Sequence, residues 1–183
     1  MKLIAELLKN SRRSDRDLAK NIGISQPTVT RIRTKLEKEG YIKEYTIIPD
    51  FAKLGYELLA MTFIKFSRMY TPDEVQKTKK SLSEILANGP LEIVSIDRGR
   101  GLGCQGVFIS LHRNYSSYMR LEEWIRQTIS SDISDIQSFL ICLNDHVHYR
   151  YFTFNTVAKH LLTSEEETSQ DSNKRRRNRQ TPQ

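Results

Sequence analysis

Long apolar runs are missing from this sequence. No stretch approaches the roughly 18 residues that a membrane-crossing helix requires. The N-terminal MKLIAELLKN is interrupted by Glu6 and has no small-residue cleavage site, so neither a membrane span nor a secretory leader is expected. Cysteine is scarce: Cys104 and Cys142 belong to no CxxC pair. That argues against a disulfide framework, and without a paired histidine pattern against a catalytic thiol. Both sit among apolar neighbours, GCQGVFI and LICLN, where a reduced thiol serves as a small hydrophobe. Glycine and proline are few, 8 and 5 in 183 residues, and 38% of the chain is hydrophobic. The chain therefore builds ordinary cores and has room for two small domains. A cytoplasmic protein without metal or cofactor is the expectation.

Acidic residues are also in deficit, and the deficit is local. The net charge is +7. Residues 1–46 carry eleven Lys and Arg against six Asp and Glu, residues 47–163 thirteen against twelve, and residues 164–183 five against four. The first quarter of the chain thus has the charge of a polyanion binder.

Within that quarter, Leu3, Ile4, Leu7 and Leu8 fit one helical stripe. Ser14 followed by Asp15, Arg16 and Asp17 reads as an N-cap with acids in the first turn. A short helix follows with Leu18, Ala19 and Ile22 inward. Gly23 supplies a turn, Ser25 caps the next helix, and Pro27 sits in its first turn, where no ladder donor is lost. Val29, Ile32 and Leu36 form a buried stripe that ends at Gly40, and YIKEYTII then alternates like a short strand. A small Ala19, a turn glycine four places later, and Val29 and Ile32 sealing the second helix are the spacing of a helix-turn-helix, whose second helix enters the major groove.

The wet side of that helix has DNA-reading chemistry. Arg31 suits a guanine edge and Gln26 an adenine edge, while Thr28 and Thr30 offer methyls and hydroxyls to thymine or phosphate. Ser25 at the helix start suits a phosphate. Thr34 lies on the same polar side. Lys35, Lys38 and Lys43 are placed for phosphates. The bland alternative is a solvated helix face in a protein-interaction module.

From Pro49 to Gly55 the chain reads as a linker, and the period then changes. ELLAMTFIKF, LEIVSIDR, QGVFISLH and DIQSFLICLN are strand candidates. TPDEVQKTKKSLSEILANG and NYSSYMRLEEWIRQTISS are helix candidates, the second with Tyr118, Leu121, Trp124, Ile125 and Ile129 inward. The order βαββαβ is ferredoxin-like, which makes the whole an α+β chain. HVHYRYFTFNTVAKHLL adds one more strand and a short helix, and a charged tail follows. The expected division is 1–46 winged helix-turn-helix, 47–55 hinge, 56–163 α/β domain and 164–183 disordered tail.

The stretch from Leu3 to Gly55 resembles the N-terminal half of the leucine-responsive regulatory protein (Lrp/AsnC, feast/famine) family. The resemblance rests on Arg12–Ser14, LA at Leu18–Ala19, GIS at Gly23–Ser25, TVTRIRTKLEKEGYI, and LG at Leu54–Gly55. It implies a winged-helix domain that binds double-stranded DNA, a hinge strand, homodimers joined through the α/β sheets and often octamers, and a small-molecule effector bound near the loop joining the second and third strands. The family pattern in that loop is a glycine followed three places later by aspartate. Here Gly103 is followed by Gly106, which removes the carboxylate that an α-amino group needs. Arg98 and Arg100 flank the loop instead and suit an anion, with Gly101, Gly103 and Gln105 completing the candidate effector site; the alternative is a plain glycine-rich turn with solvated arginines and no ligand.

Other features have plainer readings. His146 and His148 are two apart, too few for a zinc site. They keep open a second reading, a siroheme-decarboxylase-like enzyme on the same fold, which ranks below the regulator because the cations and hydroxyls of the reading helix are intact. YRYFTF, residues 149–154, reads as an edge-covering strand before a base-stacking platform. NKRRRNR, residues 173–179, is either a phosphate-contacting arm or a solubilising tail.

Overall fold

The computed structural model describes residues 1–68, 70–87, 89–128, 132–145, 147, 150 and 152–164. Ile129, His146, His148, Tyr149, Tyr151 and the tail beyond residue 164 lie outside the described residues. The chain forms two units: residues 1–48 together with the segment from residue 149 onward, and residues 49–148.

The first unit begins with three helices, α1 (Lys2–Lys9), α2 (Asp15–Ile22) and α3 (Gln26–Lys38). Their apolar stripes meet in one core of Leu3, Leu7, Leu18, Ala19 and Val29, flanked by Ile22, Ile32, Leu36 and Ile42. Each fully buried aliphatic side chain of this kind stabilises the fold by roughly 1.5–3 kcal/mol. The starts of both later helices are chemically marked. The Asp17 N–H donates to Ser14 Oγ at 3.2 Å, and the Thr28 N–H to Ser25 Oγ at 3.4 Å. Gly23 ends α2 in the left-handed region at φ 79°, with its N–H bonded to the Ala19 carbonyl at 2.9 Å. That conformation is what the turn between α2 and α3 demands and what a glycine adopts without strain.

Two expectations for this unit change. YIKEYTII forms no strand: residues 42–50 have no ladder partner within the described chain, and Tyr45, Ile47 and Ile48 are exposed. A strand needs a neighbour for its N–H and C=O groups, and the described residues supply none here. The C-terminal segment, expected to belong to the α/β domain, clusters instead with the N-terminal helices. Residues 155–164 form a last helix, α6, with Ala158 fully buried. The extra strand expected before it falls largely outside the described residues; Phe152 and Phe154, at its end, stand edge to face at 5.3 Å and are exposed.

The second unit holds β1 (Leu58–Phe66), α4 (Pro72–Ala87), β2 (Ile93–Gly101), β3 (Cys104–His112), α5 (Tyr115–Thr128) and β4 (Ile133–Cys142). The strands make one antiparallel sheet in the order β2-β3-β1-β4. This is the split-βαβ arrangement that the element order predicts. Ile64, Phe108, Leu121 and Ile125 form its core, with Phe66, Ile93, Ile96, Trp124, Ile133 and Ile136 around them. Cys104 is buried as expected, but Cys142, at the end of β4, is exposed.

The opposite sheet face is apolar as well. Leu59, Met61 and Phe63 of β1 stand in register with Leu111, Ile109 and Val107 of β3, and with Ile141, Phe139 and Gln137 of β4. Nothing within the unit covers it fully: Phe139 is 63% exposed. Among the described residues no helix is long and apolar enough to cross a membrane.

Candidate nucleic-acid interface and ligand cleft

In α3 the inward residues Val29, Ile32 and Leu36 leave Pro27, Arg31, Thr34 and Lys38 on the opposite side at spacings of four, three and four. Arg31, Thr34 and Lys38 are exposed. Among the described residues the side chains of Gln26, Arg31, Lys38 and Lys43 carry no hydrogen bond or ion pair, whereas Lys35 has a loose pair with Glu39 at 3.6 Å.

The hydroxyls are less free than their positions suggest. Ser25 Oγ lies 2.8 Å from Thr28 Oγ1 while it caps the helix, so the two are engaged with each other. The Thr34 hydroxyl donates to the Thr30 carbonyl at 3.0 Å, leaving its methyl outward. Thr30 donates to Asp15 Oδ2 at 2.6 Å, across to α2.

The Thr30–Asp15 contact belongs to a network that the sequence reading missed. Asp15 Oδ1 accepts from Arg33 Nη2 at 2.6 Å, and Arg33 Nη1 donates to the Tyr45 hydroxyl at 3.2 Å. The Tyr45 hydroxyl in turn donates to Glu37 Oε1 at 2.7 Å. The Arg33 guanidinium also lies 5.7 Å from the centre of the Tyr45 ring. The Thr30 hydroxyl, and after it Arg33, hold the Asp15 carboxyl below its ordinary value against the opposing effect of burial. Arg33 was legible as a residue at the edge of the inward stripe, four places after Val29. Its partner Asp15 read as an ordinary first-turn acid.

In the second unit, the glycine-rich stretch around Gly99–Gly103 is not a wide loop. β2 runs on to Gly101, β3 begins at Cys104, and the turn between them is Leu102 (φ 52°) and Gly103 (φ 72°). Two successive positive φ values make the tight hairpin turn that matches strand twist.

The candidate effector residues therefore separate. Arg98 and Arg100 line an open cleft of about 590 Å³ together with Tyr70, Pro72, Val75, Gln76 and Gly99. Gly101, Gly103 and Gln105 do not line it. Gln105 is a structural bridge, its Oε1 accepting from the Phe66 N–H at 2.9 Å. Gly106 lies on the core-facing row of β3. A Cβ there would stand 3.6 Å from Ile64 Cβ and 3.7 Å from Phe66 Cε2, so an aspartate would meet apolar atoms. Among the described residues no group of His, Cys, Asp and Glu is arranged to hold a metal.

A three-helix unit that projects one polar helix face, joined in sequence to a ferredoxin-like sheet, is the architecture of a helix-turn-helix unit with an α/β companion domain. Residues 1–43 match the winged helix-turn-helix DNA-binding family. An uncharacterised HTH-type transcriptional regulator of Pyrococcus horikoshii, PH0061, is 36% identical over 85 residues, 46% of this chain and 55% of its own length. The HTH-type transcriptional regulator LrpC of Bacillus subtilis is 46% identical over 55 residues, 30% of this chain and 38% of LrpC. The aligned stretch thus spans about half the length, or less, of the curated relatives it matches.

The crystal structure of PH0061 superposes with a TM-score of 0.66 at 27% identity, over 84% of this chain and 93% of that one. The Neisseria meningitidis regulator NMB0573, solved as its L-Met complex, superposes at 0.61 and 15% identity, over 85% of this chain and 95% of that one, a likeness of fold. The chain is thus similar in its N-terminal unit to the regulator LrpC and in its whole fold to PH0061.

Proposed function

We propose that this protein is a sequence-specific transcriptional regulator acting in the cytoplasm, which binds double-stranded DNA as a homodimer or a higher assembly. The observation that carries the reading is the outward stripe of α3, where Arg31 and Lys38 are exposed and have no internal partner among the described residues. In this reading Arg31 and Gln26 address base edges. Lys35, Lys38 and Lys43 address phosphates, and Thr28, Thr30 and Thr34 line the same surface, with Ser25 at the helix start. The relatives matched through the N-terminal unit are transcriptional regulators, which favours this reading over an enzyme on the same fold.

Two copies are argued from the open sheet face. Its rows of Leu59, Met61, Phe63, Ile109, Phe139 and Ile141 form an apolar surface of the kind that a second sheet covers. The extended segment after α3, with unpaired backbone and exposed Tyr45 and Ile47, offers a further edge for pairing. A two-fold dimer places two α3 helices about one DNA turn, roughly 34 Å, or a multiple of it apart. Metabolite control is the remaining element of the proposal, in keeping with the L-Met bound to NMB0573.

Selection of bound fragments from random duplex DNA tests the whole proposal. A two-fold repeated motif with fixed half-site spacing is the expected result. No enrichment at low ionic strength would overturn the reading.

A further inference from the structure

The cleft between the start of α4 and the end of β2 has a composition that suits one ligand class. Counted through the register, Arg98 stands opposite Gly106, on the row that carries Ile96, Phe108 and other core side chains. A core-facing strand position thus holds an arginine, and the residue beside it is a glycine that takes up no room. Arg100 lines the same cleft, and Gln76 from the first turns of α4 adds an amide.

Among the described residues neither arginine is neutralised. The acids nearby are committed elsewhere or do not line the cleft. Glu74 is held by Arg68 at 2.9 Å and by the Thr71 N–H at 2.8 Å, which together with the Thr71 hydroxyl hold its carboxyl down at about 2. Asp132 engages the Tyr70 hydroxyl, which burial pushes up to about 12, so Tyr70 is a neutral wall. Its ring is fixed edge to face against Phe66 at 5.2 Å and lies under Arg68 at 4.7 Å. Asp73 is exposed and does not line the cleft.

A volume of about 590 Å³ falls within the range of small-molecule sites. A zwitterionic amino acid needs a carboxylate for its ammonium group, and the cleft lining contains none. Two guanidiniums presenting forked donors suit instead two carboxylates or one phosphate.

We propose that this cleft binds a small dianion, either a dicarboxylate or a phosphate group, through Arg98 and Arg100. This deepens the regulatory reading by giving the sensing domain a ligand class, but the binding itself does not depend on DNA. The test is calorimetric titration of the full chain, without DNA, with succinate, inorganic phosphate and leucine in turn. Succinate or phosphate is expected to bind, and the one that does identifies which form of dianion the cleft takes.

Arg98→Ala and Arg100→Ala are each expected to weaken that binding roughly tenfold or more, since each removes charge-assisted hydrogen bonds. Lys53→Ala, on an exposed turn of the same unit, leaves it unchanged. Both arginines are exposed, so the variants fold, and far-ultraviolet circular dichroism checks this. Binding of leucine alone, no binding of any probe, or equal binding of the anions by the arginine variants would each overturn the proposal. Failure of DNA binding would leave these titrations as they are, so the two readings fail separately.

Discussion

Asp15 is, by its place in the sequence, a first-turn acid favourable to the start of α2. In the structure it is the peg to which α3 is fixed, accepting from Thr30 and Arg33 at 2.6 Å each. Removing it leaves Arg33, whose Nε is already buried without a partner among the described residues, short of its counter-charge. Asp15→Ala is expected to lower stability by about 2 kcal/mol, the scale of hydrogen bonds to a charged group, as read by urea unfolding. Thr30→Val keeps the Arg33 pair and is expected to cost less. A pair contributing nothing would make the two variants equal to the parent.

Arg31 presents the opposite case, an arginine with nothing to hold among the described residues. Arg31→Ala is expected to weaken binding to a selected operator by about 1–3 kcal/mol while leaving binding to random duplex nearly unchanged. Equal losses on both would reassign Arg31 to a phosphate. His112 in β3 makes a third prediction. It is fully buried, with Nε2 2.8 Å from Ser110 Oγ and Nδ1 without a partner among the described residues. Tyr118 stands edge to face against its ring at 5.7 Å. Burial lowers its affinity for a proton below the ordinary 6.5; Glu92 pulls against that, and Arg120, the smallest influence, adds to the lowering. The unfolded chain therefore takes up the proton first, and the stability associated with neutral His112 is present above pH 6.5 and lost as the pH falls below it. The melting temperature of the parent is expected to fall more steeply below pH 6.5 than that of His112→Asn.

At the scale of elements, the turn between α2 and α3 decides how the reading helix is presented. A Cβ on Gly23 would meet nothing within 4 Å, so substitution there tests backbone strain alone. Gly23→Ala is expected to cost about 1–2 kcal/mol for holding a non-glycine residue at φ 79°, and Gly23→Asn less, because asparagine visits that region more readily. Urea midpoints in the order Gly, Asn, Ala check the ranking. The helices were legible because their signals are local: Ser14 and Ser25 as caps, Gly23 as a stop, and Val29, Ile32 and Leu36 as a stripe. The four-stranded sheet followed from element order. The segment after α3 was misread because alternation in YIKEYTII describes side chains, whereas a strand also requires a partner for its backbone. The Asp15–Arg33–Tyr45–Glu37 network was missed because it joins three separate stretches whose side-chain directions only the folded chain defines. Gly106 was read as a lost ligand, and in the fold it is a glycine beneath Ile64 and Phe66.

For the whole molecule, two features concern how copies and charges are combined on DNA. The open sheet face predicts association, and Phe139→Asp places a charge on its exposed β4 row without touching the core of either unit. Dissociation is expected by analytical ultracentrifugation, with a matching loss of operator affinity as one half of a two-site contact is removed. The tail poses the subtler question. The chain returns after residue 148 to the unit that holds the helix-turn-helix, and α6, with Ala158 buried, is grouped with it. The sequence beyond it therefore starts from the DNA-binding unit, and five of its seven residues 173–179 are cations. Every phosphate neutralised adds about 0.9 to the slope of log affinity against log salt. A chain ending at residue 164 retains α6 and is expected to show a shallower slope than the full chain on random duplex, by up to about four units if most of these cations engage. The selected motif is expected to stay the same, because phosphate contacts carry no sequence. An unchanged slope would mean that the tail serves solubility, and a changed motif would mean that it reaches a groove.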